Sequence, residues 1–132
     1  MTGKQARGFT LLELMIVISI LVILALIAMG QYNRTVLAAK EATLREDLFT
    51  MRKMIDQYAA DKGKLPQSLD DLKGAGYIHD IPDDPMTEDK GNDWQVEFGD
   101  DPGSNDNSQG VVNVHSSSTD MDSLREKPYS EW

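Results

Sequence analysis

The stretch Arg7–Met29, RGFTLLELMIVISILVILALIAM, decides what the rest of the chain is built around. Between Leu14 and Met29 the only polar interruption is Ser19, yet a carboxylate, Glu13, stands just inside the apolar run. A charged side chain at bilayer depth costs at least about 2.5–3.5 kcal/mol, so Glu13 needs a partner or an escape to the interface. Phe9 to Met29 is 21 residues, about 31 Å as a helix and close to the hydrocarbon thickness of a bilayer.

Outside this run the composition changes sharply. The chain has 132 residues, enough for one domain with a modest core, and a formal charge of −9. Lys4 and Arg7 precede Phe9, so a chain starting at Phe9 carries 11 basic and 22 acidic side chains, or −11. Such an excess argues against a nucleic-acid partner, because phosphate binding draws its affinity from clustered Lys and Arg. It suits a well-hydrated head that attracts cations. With no cysteine, disulfides, thiol catalysis and thiolate metal sites are excluded.

Three readings of the N-terminal run stand side by side. A secretory signal peptide has a basic start, a short apolar region and a small-residue cleavage site. Lys4 and Arg7 supply the start, but the run continues into Gly30, Gln31 and Tyr32, and "ALIA" at 25–28 is embedded in it. A plain membrane anchor accounts for the length, and the positive-inside rule puts Lys4 and Arg7 in the cytoplasm with the acidic remainder outside. Neither reading accounts for Gly8-Phe9 or for Glu13.

The run Gly8, Phe9, Thr10, Leu11, Leu12, Glu13, Leu14 resembles the class III signal of type IV pilins and type II secretion pseudopilins. The resemblance implies that a prepilin peptidase cuts between Gly8 and Phe9 and methylates the new Phe9 amine, while the apolar run stays on the mature protein. Glycine before the cut lets the backbone approach a protease without a side-chain clash. It also implies that Glu13 of one subunit meets the Phe9 amine of its neighbour in a homopolymeric filament. Pairing would then relieve the cost of the buried carboxylate and register incoming subunits.

Beyond the membrane run, Leu37, Leu44, Leu48, Met51, Ile55 and Tyr58 are spaced 7, 4, 3, 4 and 3 residues apart, one helical stripe expected to pack beneath a small sheet. Arg45, Glu46, Arg52, Lys53, Asp56 and Asp61 fall on the other face, and Glu41–Arg45 reads as an i, i+4 surface pair. Gly63 is a natural stop, and Gly30 is a point where the helix can bend or melt. Ser68 is placed to cap a short helix at about 69–73, with Gly74 and Gly76 closing it. "SLDDLKGAGYIHDIPDDP" resembles the linker of the major pseudopilin through Leu69, Leu72, Gly76, Tyr77, Ile78, Ile81, Pro82, Asp84 and Pro85, although Met86, Thr87 and Glu88 replace the aromatic and glycine that usually follow.

"DWQVEF" alternates Trp94, Val96 and Phe98 with polar residues, and "GVVNVHS" alternates Val112 and Val114 with Asn113 and His115, blurred by Val111. The turn-rich "GDDPGSNDNSQG" between them reads as a hairpin-type loop, and Tyr129 and Trp132 as apolar lids over the sheet edge. The expected fold is therefore α+β: a long N-terminal helix, half transmembrane and half amphipathic, against a small antiparallel sheet of two or three strands, as in type IV pilins. Residues 1–8 form the leader, 9–30 the transmembrane and assembly helix, 31–63 the amphipathic helix, and 64–132 the head.

No catalytic constellation emerges. His79 and His115 are the only histidines and belong to no ligand-spaced motif, and no glycine-rich phosphate loop is present. An enzyme is not expected. Calcium is the one cofactor to weigh, because it takes six to eight oxygens from carboxylates, hydroxyls and carbonyls. The resemblance to major pseudopilins places a calcium loop after the second strand, where Ser116, Ser118, Asp120 and Asp122 are the candidates; Asp100, Asp101, Asn105, Asp106 and Asn107 form a rival cluster. The glycine-rich surround of the family's loop is replaced here by Leu124-Arg125-Glu126-Lys127.

The resemblance as a whole implies a structural subunit of a type II secretion pseudopilus. It would sit in the bacterial inner membrane with its head in the periplasm, and join a filament driven by an assembly platform and its ATPase. Its partners would be itself, minor pseudopilins, the prepilin peptidase and membrane lipid. A surface type IV pilus subunit and a non-polymerising, membrane-anchored binding domain remain as alternatives.

Overall fold

The structure is a computed structural model, and it describes Gly3, residues 7–87 and residues 94–132. Lys4 of the leader, the turn expected at Glu88 and Asp93 ahead of the first strand lie outside the described residues. The order of elements is α1 (Leu11–Lys62), α2 (Leu69–Gly74), β1 (Gln95–Asp100), β2 (Gln109–His115) and a short 3-10 helix, Tyr129–Glu131. The fold is α+β, as expected. Contacts divide the chain into two units, Met1–Val36 and Leu37–Trp132.

In the first unit α1 starts after Thr10, whose Oγ1 accepts the Glu13 N–H at 3.2 Å and so satisfies one of the free donors of the first turn. Gly30 is helical within α1. In the second unit α1 buries Leu44, Leu48, Met51, Ile55 and Tyr58, so five of the six stripe positions form the core. Leu37 does not; it is exposed, and Glu41 is the buried residue one turn on. The helix ends where expected: Gly63 takes φ +71° and donates its N–H to Ala59 O at 2.9 Å.

The short helix α2 shows how local chemistry sets its bounds. At its start the Asp71 carboxylate reaches back to the N–H groups of Gln67 (2.7 Å) and Ser68 (3.3 Å). At its end Gly76 takes φ +82°, and Tyr77 N–H bonds to Leu72 O while Gly76 N–H bonds to Lys73 O. That pair of bonds is the Schellman closure, which needs a left-handed residue and therefore favours glycine. Leu69 and Leu72, on one side of α2, join the core.

The sheet has two antiparallel strands, and its register corrects the expected alternation. Glu97 pairs with Asn113 and Phe98 with Val111, leaving Val112 as an extra residue on β2. This bulge turns Val111 and Val114 into the core while Val112 faces out, so the blur at Val111 marks a bulge rather than a weak strand. On β1, Trp94 just before the strand is buried, Val96 half-buried and Phe98 exposed, so the apolar face ends one pair earlier than the alternation suggests. Pro66 O accepts Val111 N–H at 2.7 Å, adding the 65–66 segment to the outer side of β2.

Two close approaches hold this corner together. A Cβ on Gly103 would lie 1.6 Å from Gly63 O, and one on Gly110 would lie 2.3 Å from Leu65 Cβ. Glycine is required at both because backbone passes where a side chain would stand. Gly103→Ala is expected to lower the thermal midpoint of the head clearly, whereas Gly74→Ala, with nothing near its Cβ, leaves it within about 1–2 °C. Met51→Ala is expected to cost about 2–5 kcal/mol in denaturant unfolding, and Leu37→Ala about 1 kcal/mol or less.

Candidate functional site

Two regions carry the residues that the sequence singles out. The first is the start of α1. Arg7, Gly8, Phe9 and Thr10 precede the helix and are exposed, with Phe9 at 83 %. Residues 11–35 are exposed throughout, among them sixteen large apolar side chains from Leu11 to Tyr32. This stretch lies in the one described helix long and apolar enough to cross a membrane. Ser19 adds little polarity, because its hydroxyl donates to Met15 O at 2.7 Å, one turn back. Glu13 therefore stands in the first turn, where its charge complements the helix dipole, and among the described residues it has no ion-pair partner within its own chain. An amine placed one turn away on another molecule has a free carboxylate to meet.

The second region is the tail after β2, and here the chemistry differs from the surface pattern expected. Glu41 is 6 % exposed and does not pair with Arg45. Its Oε1 accepts the Ser123 N–H and the Tyr129 hydroxyl, both at 2.7 Å, and its Oε2 accepts the Ser123 hydroxyl at 2.9 Å. Burial alone would raise the Glu41 pKa; the bonds from Tyr129 and Ser123, with Arg45 nearby, outweigh it and hold the carboxyl below its ordinary value. The Tyr129 hydroxyl is pushed up in turn, by burial and by donating to that carboxylate.

Arg45 instead lies 4.5 Å from the ring centroid of Trp132, which packs edge-on against Tyr129. Arg52, expected on the wet face, is half-buried and donates to Val114 O (2.8 Å) and Trp132 O (2.6 Å). His115 Nδ1 lies 2.8 Å from the same Trp132 oxygen and is structural; His79 is fully exposed. The aromatic tail thus closes against α1 as well as the end of β2, rather than over the sheet edge alone.

The four residues considered for calcium occupy different settings. Ser116 is fully buried; its hydroxyl donates to Asp84 Oδ2 at 2.5 Å and accepts the Ser118 N–H. Ser118 Oγ accepts the Asp120 N–H at 3.3 Å. Asp120 is exposed, whereas Asp122 is buried and accepts the Glu126 N–H at 2.9 Å. In the rival loop, Asp101 is buried and accepts from Leu65 and Gly103 N–H groups. Sequence reasoning missed Glu41 and the fastening role of Asp84, whose carboxylate also accepts Met86 and Ser117 N–H groups. A signal for Glu41 was present: it fills the seven-residue gap between Leu37 and Leu44 in the apolar register.

Comparison with known proteins agrees with this geometry. Residues 3–29 match the prokaryotic N-terminal methylation motif. The chain is 32 % identical over 109 residues to type II secretion system core protein G of Klebsiella pneumoniae, covering 70 % of this chain and 75 % of that protein. It is 30 % identical over 112 residues to the protein of that name from Aeromonas hydrophila, covering 73 % and 76 %. Against competence protein ComGC of Halalkalibacterium halodurans it is 34 % identical over 71 residues, covering 54 % and 70 %. No solved structure matches the chain. Identity at this level over three quarters of the relatives' length, with the methylation motif at the exposed apolar helix, means that the chain belongs to the type II secretion system core protein G family, pilin-like structural subunits rather than enzymes.

Proposed function

We propose that the chain is the major subunit of a type II secretion pseudopilus, cut between Gly8 and Phe9, N-methylated at Phe9, and polymerised through the apolar part of α1. The observation that carries this reading is the exposed apolar surface of residues 11–29 with one carboxylate, Glu13, at its start. Such a surface must be covered by lipid or by other helices. A plain anchor satisfies the first need and leaves Glu13 without a role. Filament assembly satisfies both, because a neighbour supplies apolar helix surface and a Phe9 amine together.

Before assembly the subunit is a single-pass inner-membrane protein, its N-terminus cytoplasmic and its acidic head periplasmic; Lys4 and Arg7 beside the apolar run support that orientation. Its partners in this reading are further copies of itself, minor pseudopilins, the prepilin peptidase, and an assembly platform with its ATPase. The filament's growth would move exported proteins. The similarity to a competence protein supports a second reading, a type IV pilus subunit with the same assembly chemistry.

Mass spectrometry of the subunit from its host is expected to give an N-methylated Phe9 as the first residue; an intact Met1 overturns the proposal. Glu13→Ala is expected to leave cleavage unchanged and reduce filaments at least about tenfold, the effect of losing an ion pair of a few kcal/mol. Normal filament yield from that variant removes the pairing role.

A further inference from the structure

The polarity of the tail after β2 is opposite to what a bound cation needs. A calcium ion gathers oxygens, so the loop around it turns carbonyls and carboxylates inward. Here most oxygens of the candidate set already hold hydrogen bonds, and the Asp120 carboxylate stands apart from them, exposed at the surface. Ser116 Oγ both donates to Asp84 and accepts from Ser118, Ser118 Oγ accepts from Asp120, and Asp122 accepts from Glu126. The Asp120 carbonyl accepts the Tyr129 N–H, and the Asp122 carbonyl accepts the Arg125 N–H. Arg125 and Lys127 offset two of the three negative charges that Asp120, Asp122 and Glu126 bring to the same stretch. Among the described residues no three His, Cys, Asp or Glu side chains are grouped to hold a metal ion. The residues present do not fit calcium.

What the tail turns inward is donors. The Ser123 N–H, the Ser123 hydroxyl and the Tyr129 hydroxyl converge on one buried anion, Glu41, which lies 82 and 88 residues earlier in the chain. Hydrogen bonds to a charged acceptor are roughly twice as strong as neutral ones, and three of them satisfy a buried carboxylate without a counter-ion. Asp122 then closes the turn on itself: its N–H bonds to Lys127 O, and its carboxylate takes the Glu126 N–H. Arg125 adopts φ +55° at the tip.

We propose that Glu41 takes the place of a divalent cation in this chain: an anion-centred cluster fastens residues 116–132 to α1, and the head folds without calcium. The lowered Glu41 pKa agrees with a carboxylate that is ionised in the folded protein. Because its folded pKa lies below the ordinary 4.5, its contribution is present above that value and lost as pH falls through the folded pKa. Arg45, Asp120, Asp122 and Tyr129 are the titratable neighbours that share the site.

The test uses the full chain in detergent micelles, with thermal unfolding followed by tryptophan fluorescence. Calcium at roughly 5 mM, above the 10⁻⁴–10⁻³ M range of extracellular calcium modules, and an excess of EGTA are expected to give midpoints within about 1 °C of each other. Glu41→Gln is expected to lower the midpoint by about 5 °C or more, in either medium and down to about pH 5, with the difference closing below that. Tyr129→Phe keeps the buried ring and removes one donor, so it measures the cluster in a chain that still folds; a smaller drop is expected. A midpoint raised by several degrees in calcium overturns the proposal. So does Glu41→Gln with a wild-type midpoint, or Tyr129→Phe with one.

Discussion

The core of the head closes onto one face of α1, the row running from Glu41 through Leu44, Leu48, Met51 and Ile55 to Tyr58. A two-stranded antiparallel sheet has too little apolar surface to be stable alone, so it needs a partner to bury its face. The helix row supplies that partner. Val111 and Val114 from β2, Trp94 ahead of β1, Leu69 and Leu72 from α2, and Tyr129 from the tail complete a single cluster with it. Each fully buried side chain of this size contributes about 1.5–3 kcal/mol relative to exposure.

The second structural theme is the use of carboxylates as fasteners. Glu41, Asp84, Asp101 and Asp122 are buried, and each accepts backbone N–H groups from another part of the chain or closes its own turn. Loops lack ladder partners for their backbone donors, and an ionised side chain meets several at once. Part of the strongly acidic composition is therefore internal structure rather than a solvated coat. This also explains why the head manages without disulfides: Asp101 ties the 99–110 loop to Leu65, and Asp84 ties the exit of β2 to the linker after α2.

The N-terminal unit follows a different logic. Between Leu14 and Met29 its helix surface is apolar all round, with Ser19 turned back onto Met15 O, and no described residue of that unit covers it. A helix hydrophobic on every side is buried by something, either lipid or protein. Membership of the core protein G family and the methylation motif over residues 3–29 give that surface its context.

Features written in local chemistry could be read from the chain alone. The apolar run and Glu13, the α1 stripe, the glycine stops at Gly63 and Gly76, the α2 cap and the existence of two strands all depend on near neighbours in the chain, and all were legible. The tertiary structure decided which face each strand residue took, because the bulge at Val112 depends on how β1 and β2 pair across the sheet. It alone also moved Glu41 and Arg52 from the wet face to the interior. Helical periodicity states which residues share a side, but whether a charged residue on that side is buried depends on donors and acceptors that arrive from far along the chain: Ser123 and Tyr129 for Glu41, Val114 and Trp132 for Arg52.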